Sequence, residues 1–141
     1  MSYFTQTDLE VLIPPGWVVE ALDDDADGAQ DATLFSELQT VIEGRINGKL
    51  GQRYAVPITA GLADDFLRDC AVHMAAAVLY KRRGLYAQFP YVDELEDLTT
   101  TLNAIARGEE PLAPEADREE PSVSAITENT KARNSGGRLN L

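Results

Sequence analysis

One long amphipathic segment, from Leu34 to Leu50, constrains the fold of this chain more than any other feature. Its apolar side chains recur every three or four residues, which places them on one face of an α-helix. Such a face has to be buried, while the polar residues between them take the opposite face. Gly51 and Pro57 follow, and these residue types predict that the helix stops and the chain turns. The apolar positions are Leu34, Leu38, Val41, Ile42, Ile46 and Leu50.

Two further segments show the same spacing and predict two more core helices. The second helix begins near Asp64 or Asp65 and ends at Gly84, and the third runs from Val92 to Gly108. Their apolar positions are Phe66, Leu67, Cys70, Ala71, Met74, Ala75, Val78 and Leu79, and then Leu95, Leu98, Leu102, Ile105 and Ala106. Three amphipathic helices that cover each other's apolar faces predict an all-α fold, a small bundle.

The N-terminal region predicts shorter elements. Thr7 and Glu10 have the spacing of a capping box, so a short helix is expected to start there and to end at the Pro14–Gly16 stretch. The segment from Trp17 to Leu22 is apolar, and we interpret it as a second brief helix.

The composition changes after the third helix. We therefore divide the chain into a helical domain, 1–108, and an arm, 109–141, that is rich in proline and acidic residues. A segment of this kind has too little apolar area to order itself, so we expect it to be disordered alone or ordered on a partner. Its cations Lys131, Arg133 and Arg138 are candidate interface residues.

Charge and residue content exclude several functional classes. A net charge of -12 argues against a groove that grips nucleic acid, because phosphate binding depends on clustered lysine and arginine. No stretch of the sequence is long and apolar enough to span a membrane, and the first residues, which lack a basic start and an apolar run, lead us to expect no signal peptide. Cys70 is the single cysteine and His73 the single histidine, and no phosphate loop, metal motif or nucleophile elbow occurs. We expect a structural or interaction protein, with no enzyme activity, cofactor or metal.

An acidic loop precedes the organising helix and leaves one alternative open. The spacing of its aspartates matches the first half of an EF-hand calcium loop, whose alternate carboxylates converge on one cation. The closing glutamate is missing, because Leu34 stands at the twelfth position. We favour a solvated acidic linker in which Asp31 or Thr33 caps the next helix. The candidate ligands are Asp23, Asp25, Asp27 and Asp31.

The connection between the second and third helices is rich in aromatic residues, among them Tyr86, Phe89 and Tyr91. Such a cluster is typical of core lining or of a contact between subunits.

Several parts of the chain together resemble one phage family. They are Tyr3 with Thr7–Leu9, Ile46–Leu50 leading to Arg53, Tyr54 and Pro57, the Asp69–Tyr80 helix, and Leu102, Ile105, Ala106 and Gly108. On these residues, from Tyr3 to Leu112, the chain resembles the Mu-type family of phage head-tail joining proteins. It departs from that family at Asn47 and Lys49, where members commonly carry an aspartate and an aromatic residue. The arm lies outside the resemblance.

The resemblance implies a head-tail connector, or adaptor, that completes the phage head. Such a protein assembles as a homo-oligomeric, dodecameric ring under the portal protein and above a neck or tail-terminator protein, and DNA passes through the lumen without specific binding. It resides in the neck of the virion, and in the host cytoplasm during assembly. The competing hypothesis is a small calcium-responsive or regulatory helical binding module that uses the Asp23–Asp31 loop.

Two hypotheses apply to Arg53 and Tyr54. In the first, Tyr54 packs into the bundle and Arg53 pairs with a carboxylate of the second helix, at Asp64, Asp65 or Asp69. In the second, Arg53 contacts a neighbouring subunit.

Overall fold

The structure, a computed structural model, describes residues 2–59 and 61–112. The first of two compact units, Met1–Glu110, contains five α-helices. They are α1 (Gln6–Leu9), α2 (Pro15–Ala21), α3 (Leu34–Leu50), α4 (Asp64–Arg82) and α5 (Val92–Ala106), with 3-10 turns at Gly61–Ala63 and Tyr86–Gln88. No β-strand occurs within the described ranges. The predicted all-α fold, with three principal helices after a short N-terminal helix, is confirmed.

The three long helices form the bundle, since α3, α4 and α5 each pack against the other two. The short helices α1 and α2 and both 3-10 turns pack against α4, which makes α4 the central element. Small residues let its neighbours approach closely, because Ala71, Ala75 and Ala76 are fully buried along it. Cys70 is buried on the same helix, as predicted.

Glycine ends two of the three long helices, as the sequence predicts. Gly84 and Gly108 adopt positive φ angles of 70° and 82°, a conformation that favours glycine and stops a helix. Gly51 behaves differently, because it remains right-handed helical with φ of -64°. Hydrogen-bonded turns follow it, in which the backbone N–H of Tyr54 donates to the carbonyl of Leu50 at 2.8 Å.

The buried stripe of α3 is narrower than the sequence predicts. Leu38, Ile42, Ile46 and Leu50 are buried at intervals of four residues. Val41 was expected to join them, but its side chain is 49% exposed. Its side chain lines a groove together with Val78 of α4, so it is only partly covered.

The helix caps correct two expectations. Thr5, not Thr7, caps α1, and it forms a reciprocal capping box with Asp8 rather than with Glu10. Thr33 is the N-cap of α3 but makes no side-chain cap bond. Asp31 does not cap α3 either, because its carboxylate accepts a hydrogen bond from the backbone N–H of Asp24 at 3.1 Å.

Candidate functional site

The acidic loop brings its four predicted aspartates together. One carboxylate oxygen from each of Asp23, Asp25, Asp27 and Asp31 lies within 4.8 Å of the others. The arrangement follows from the backbone, which turns back on itself through Ala26 with φ of 60° and a glycine with φ of 82°. The convergence that the spacing suggested is therefore present in the fold.

The loop's own backbone occupies most of these carboxylates. Both oxygens of Asp23 accept backbone N–H groups, one from Asp27 at 3.2 Å and the other from Gly28 at 2.9 Å. Asp27 in turn accepts the N–H of Ala29 at 2.9 Å. These bonds satisfy the donors of a loop that has no regular structure, which is the usual role of aspartate in turns.

An arginine of α4 holds the start of this loop. The Arg82 guanidinium forms an ion pair with Asp24, and its Nε donates to the backbone carbonyl of Ala21 at 2.8 Å. The acidic loop is thus attached to the end of α4 by Arg82.

Crowding shifts the protonation of two aspartates in opposite directions. The hydrogen bond with Asp23 raises the pKa of Asp25 from 3.8 to about 6, and desolvation adds to the rise. For Asp23, desolvation raises the pKa, but hydrogen bonds from the Gly28 amide and the Asp25 side chain lower it by more. The net pKa of Asp23 therefore falls below 3.8. The pair therefore holds one proton below about pH 6 and loses it as the pH rises towards neutrality.

Replacing Asp25 with asparagine is expected to stabilise the protein in a pH-dependent way. Because the pKa of Asp25 is raised in the folded state, its contribution is favourable below its unfolded pKa and is lost as pH rises through about 6. Asparagine keeps the hydrogen-bonding geometry without the charge. The urea midpoint of the Asp25→Asn protein should exceed that of the parent at about pH 8 and approach it at about pH 4.5.

Glu110→Gln, at an exposed position after α5 without an ion pair among the described residues, is the control for the removal of one negative charge. An equal rise in midpoint for both variants would show that net charge, rather than the Asp23–Asp25 contact, is responsible.

Arg53 and Tyr54 differ in their exposure to solvent. Tyr54 is buried in the bundle, as the first hypothesis required, whereas Arg53 is exposed. The Arg53 guanidinium lies against the turn after α5, since a Cβ added to Gly108 would meet its Nη1 at 2.7 Å. Of the carboxylates proposed for it, Asp65 pairs with Arg68 at 2.5 Å. A role for Arg53 in a subunit contact stays a prediction, and Lys131, Arg133 and Arg138 lie outside the described residues.

A tyrosine near the N-terminus joins three parts of the chain. The Tyr3 hydroxyl donates to Oδ1 of Asn47 at 2.5 Å and accepts the backbone N–H of Ile58 at 2.9 Å. The Tyr3 backbone N–H donates to the Glu43 carboxylate at 2.7 Å. Burial raises the pKa of Tyr3, which the Ile58 bond opposes and Glu43 increases. Asn47 is here a structural acceptor.

The Tyr3→Phe substitution is expected to lower the free energy of unfolding by about 1 to 2 kcal/mol, because it leaves the Ile58 N–H and the Asn47 amide without their partner. Urea unfolding followed by circular dichroism measures this change. Tyr86→Phe is the matched control, since the Tyr86 ring is exposed and its hydroxyl bonds to none of the described residues. Equal midpoints for the two variants would contradict a structural role for the Tyr3 hydroxyl.

The aromatic connection forms a continuous row of rings across α4. Phe89 is buried at its centre, with ring centroids 5.1 Å from Tyr80, 5.7 Å from Tyr86 and 5.9 Å from Tyr91. Trp17 extends the row on the other side of Tyr80 at 4.5 Å. The core-lining hypothesis is thus correct for Phe89, while the exposed Tyr86 remains available for a subunit contact.

Cys70 and His73 have separate structural surroundings. Burial raises the pKa of the Cys70 thiol to about 12, and the Asp69 charge adds to this shift. The His73 ring lies 2.8 Å from the backbone carbonyl of Asp69 through Nδ1, and packs edge-on against Tyr91 at 5.9 Å. Both contacts are typical of residues that pack within a bundle.

The fold and these surfaces define a small all-helical protein, and no helix among the described residues is long and apolar enough to cross a membrane. Residues 3–129 match the family model described as Bacteriophage Mu, Gp36, and the chain therefore belongs to this family of phage proteins. The resemblance to a Mu-type family is confirmed. The match continues beyond Leu112 to residue 129, so the expectation that the arm lies outside the family is wrong for most of its length. No curated protein matches the chain.

Proposed function

We propose that this protein is a head-tail connector, a structural protein of the phage virion without catalytic activity. The observation that carries the proposal is the match to the phage Mu family, which includes the whole helical bundle and extends into the arm. In this proposal, copies of the chain form a closed, dodecameric ring at the neck, below the portal protein and above a neck or tail-terminator protein. Assembly takes place in the host cytoplasm.

The charge of the chain suits a ring through which DNA moves. With a net charge of -12, the surface offers phosphates few partners, so DNA passes through the lumen without binding. Four of the eight cations among the described residues support this, because Arg68, Arg82, Arg83 and Arg107 are each paired with a carboxylate of the same chain. A solved ring whose lumen is lined by lysine and arginine would contradict this part of the proposal.

The arm provides a second contact in this proposal. Its proline-rich sequence suits binding along a partner surface, with the ordering cost offset by the area that it covers. That the family match extends to residue 129 supports a shared role for most of this segment.

A gene deletion tests the proposed function. Cells infected with phage that lack this gene should accumulate separate heads and tails, and added purified protein should restore joining in the lysate. Complete, infectious virions without the protein would overturn the proposal.

The competing hypothesis, a calcium-responsive module, has a specific observation behind it, namely the convergence of the four carboxylates at Asp23–Asp31. The hydrogen bonds that already occupy Asp23 and Asp27 argue against it. We expect calorimetric titration with calcium to detect no tight site and to leave the thermal midpoint unchanged. A clear rise in that midpoint with calcium would favour the regulatory module.

A further inference from the structure

The outer face of α3 is unusual for a solvent-exposed helix surface. Four residues form one stripe along it, at positions i, i+3, i+4 and i+7, and all four are exposed. They are Val41, Gly44, Arg45 and Gly48. We call this stripe the α3 face.

The two glycines of the α3 face have no explanation within the subunit. A Cβ added to either Gly44 or Gly48 would meet nothing within 4 Å, so intramolecular packing does not require the missing side chain. Glycine inside a helix destabilises it relative to alanine. A flat, backbone-exposed surface of this kind permits the close approach of another helix.

An apolar groove continues the α3 face towards α4. It has a volume of about 190 Å³, and its lining includes Leu34, Leu38 and Val78 together with the charged residues Glu37, Arg45 and Arg82. The two arginines differ, because Arg82 is held by Asp24 and Ala21, whereas Arg45 forms no ion pair or hydrogen bond with the residues that the structure describes. A binding partner with both apolar side chains and carboxylates would complement the groove and Arg45.

The outer face of α5 has the complementary charge and the same spacing. Asp93, Glu96, Asp97 and Thr100 are all exposed at positions i, i+3, i+4 and i+7. None of the three carboxylates forms an ion pair within residues 2–59 and 61–112. We call this stripe the α5 face. It cannot reach the α3 face of its own subunit, because α3 and α5 already pack together through other residues, with Lys49 donating to Asn103 at 2.7 Å.

We propose that the α3 face of one copy is the docking surface for the α5 face of a second copy. Arg45 pairs there with Glu96 or Asp97, and the two glycines allow the helices to approach closely. Because the two faces differ, the contact is heterologous, and repetition of such a contact forms a ring where the rotation between copies closes. The inference rests on the proposed function, for which it names the subunit interface.

Charge reversal tests the pairing directly. Arg45→Glu damages only the α3 face, and a Glu96→Arg, Asp97→Arg double variant damages only the α5 face. Each variant alone should assemble only at a concentration about a hundredfold higher than the parent requires. The reason is that like charges then face each other at every subunit contact. An equimolar mixture should assemble again, because every junction between unlike copies joins opposite charges. Lys81→Glu has the same charge change at an exposed site on α4, where it removes only a contact with the Tyr86 ring at 4.8 Å, and it is the matched control.

Assembly is measured by sedimentation velocity and negative-stain imaging, with the phage's own portal protein as template. Unchanged urea midpoints verify that the variants fold. A Gly44→Leu variant provides a second, uncharged test, and it should remain folded while it fails to assemble. Variants that form rings as the parent does, or a mixture that fails to recover, would overturn the interface but leave the connector function intact. A parent protein that forms no ring with the portal would overturn both.

Discussion

Replacing Ile46 with alanine is expected to lower the free energy of unfolding by about 3 kcal/mol, within the range measured for large-to-small changes in a core. Ile46 lies in the buried stripe of α3 and is fully buried, and α3 packs against both α4 and α5. The loss combines the transfer energy of the deleted groups with the cost of the cavity that remains. For a domain of about 100 residues this lowers the thermal midpoint by more than about 10 °C.

Val41→Ala on the same helix is the matched control for this change. Because Val41 is half exposed and alanine is the better helix former, its midpoint should stay the same or rise slightly. Thermal unfolding of both variants by circular dichroism measures the difference. Equal losses at the two positions would contradict the position of the core along α3.

Replacing Phe4 with alanine is expected to cost about 3 to 4 kcal/mol, the usual range for a buried aromatic residue. The Phe4 side chain is 1% exposed, and its ring meets Phe35 edge to face with centroids 5.6 Å apart. Gln39 adds a hydrogen bond from Nε2 to the Phe4 carbonyl at 2.7 Å. The N-terminal segment is thus fixed to α3 by its side chain and by its backbone.

The Phe4→Leu variant distinguishes the effect of lost side-chain volume from the effect of detaching the N-terminal segment from α3. Leucine refills most of the space, so this variant should lose less than half as much stability as Phe4→Ala. Amide hydrogen exchange adds a local measurement, because detachment of the segment would also free the Ile58 N–H from the Tyr3 hydroxyl. A Phe4→Ala protein as stable as the parent would show that the N-terminal segment is not part of the cooperative core.

The long helices follow from local sequence signals. The bounds of α3, Leu34–Leu50, were predictable because a repeat of apolar residues spans four turns and a glycine follows it. The ends of α4 and α5 were predictable for a similar reason, since Gly84 and Gly108 supply the positive φ angles that stop them.

The features that were missed depend on contacts that are distant in sequence. The Tyr3 hydroxyl meets partners 44 and 55 residues away, and no local pattern indicates them. The exposure of Val41 depends on which side of α3 the other two helices cover, which periodicity alone does not determine. The acidic loop was predicted in part. The spacing of its aspartates indicated that their carboxylates converge, but it did not indicate that backbone N–H groups of the same loop would bind those carboxylates.

The most direct test of the connector function is the binding of the purified protein to the portal protein of the same phage, followed by light scattering and by imaging of the complexes and of virions. We expect a closed ring of this protein on the tail-facing end of the portal, at the position of the neck in the virion. A protein that neither binds the portal nor occurs in purified virions would contradict the proposed function.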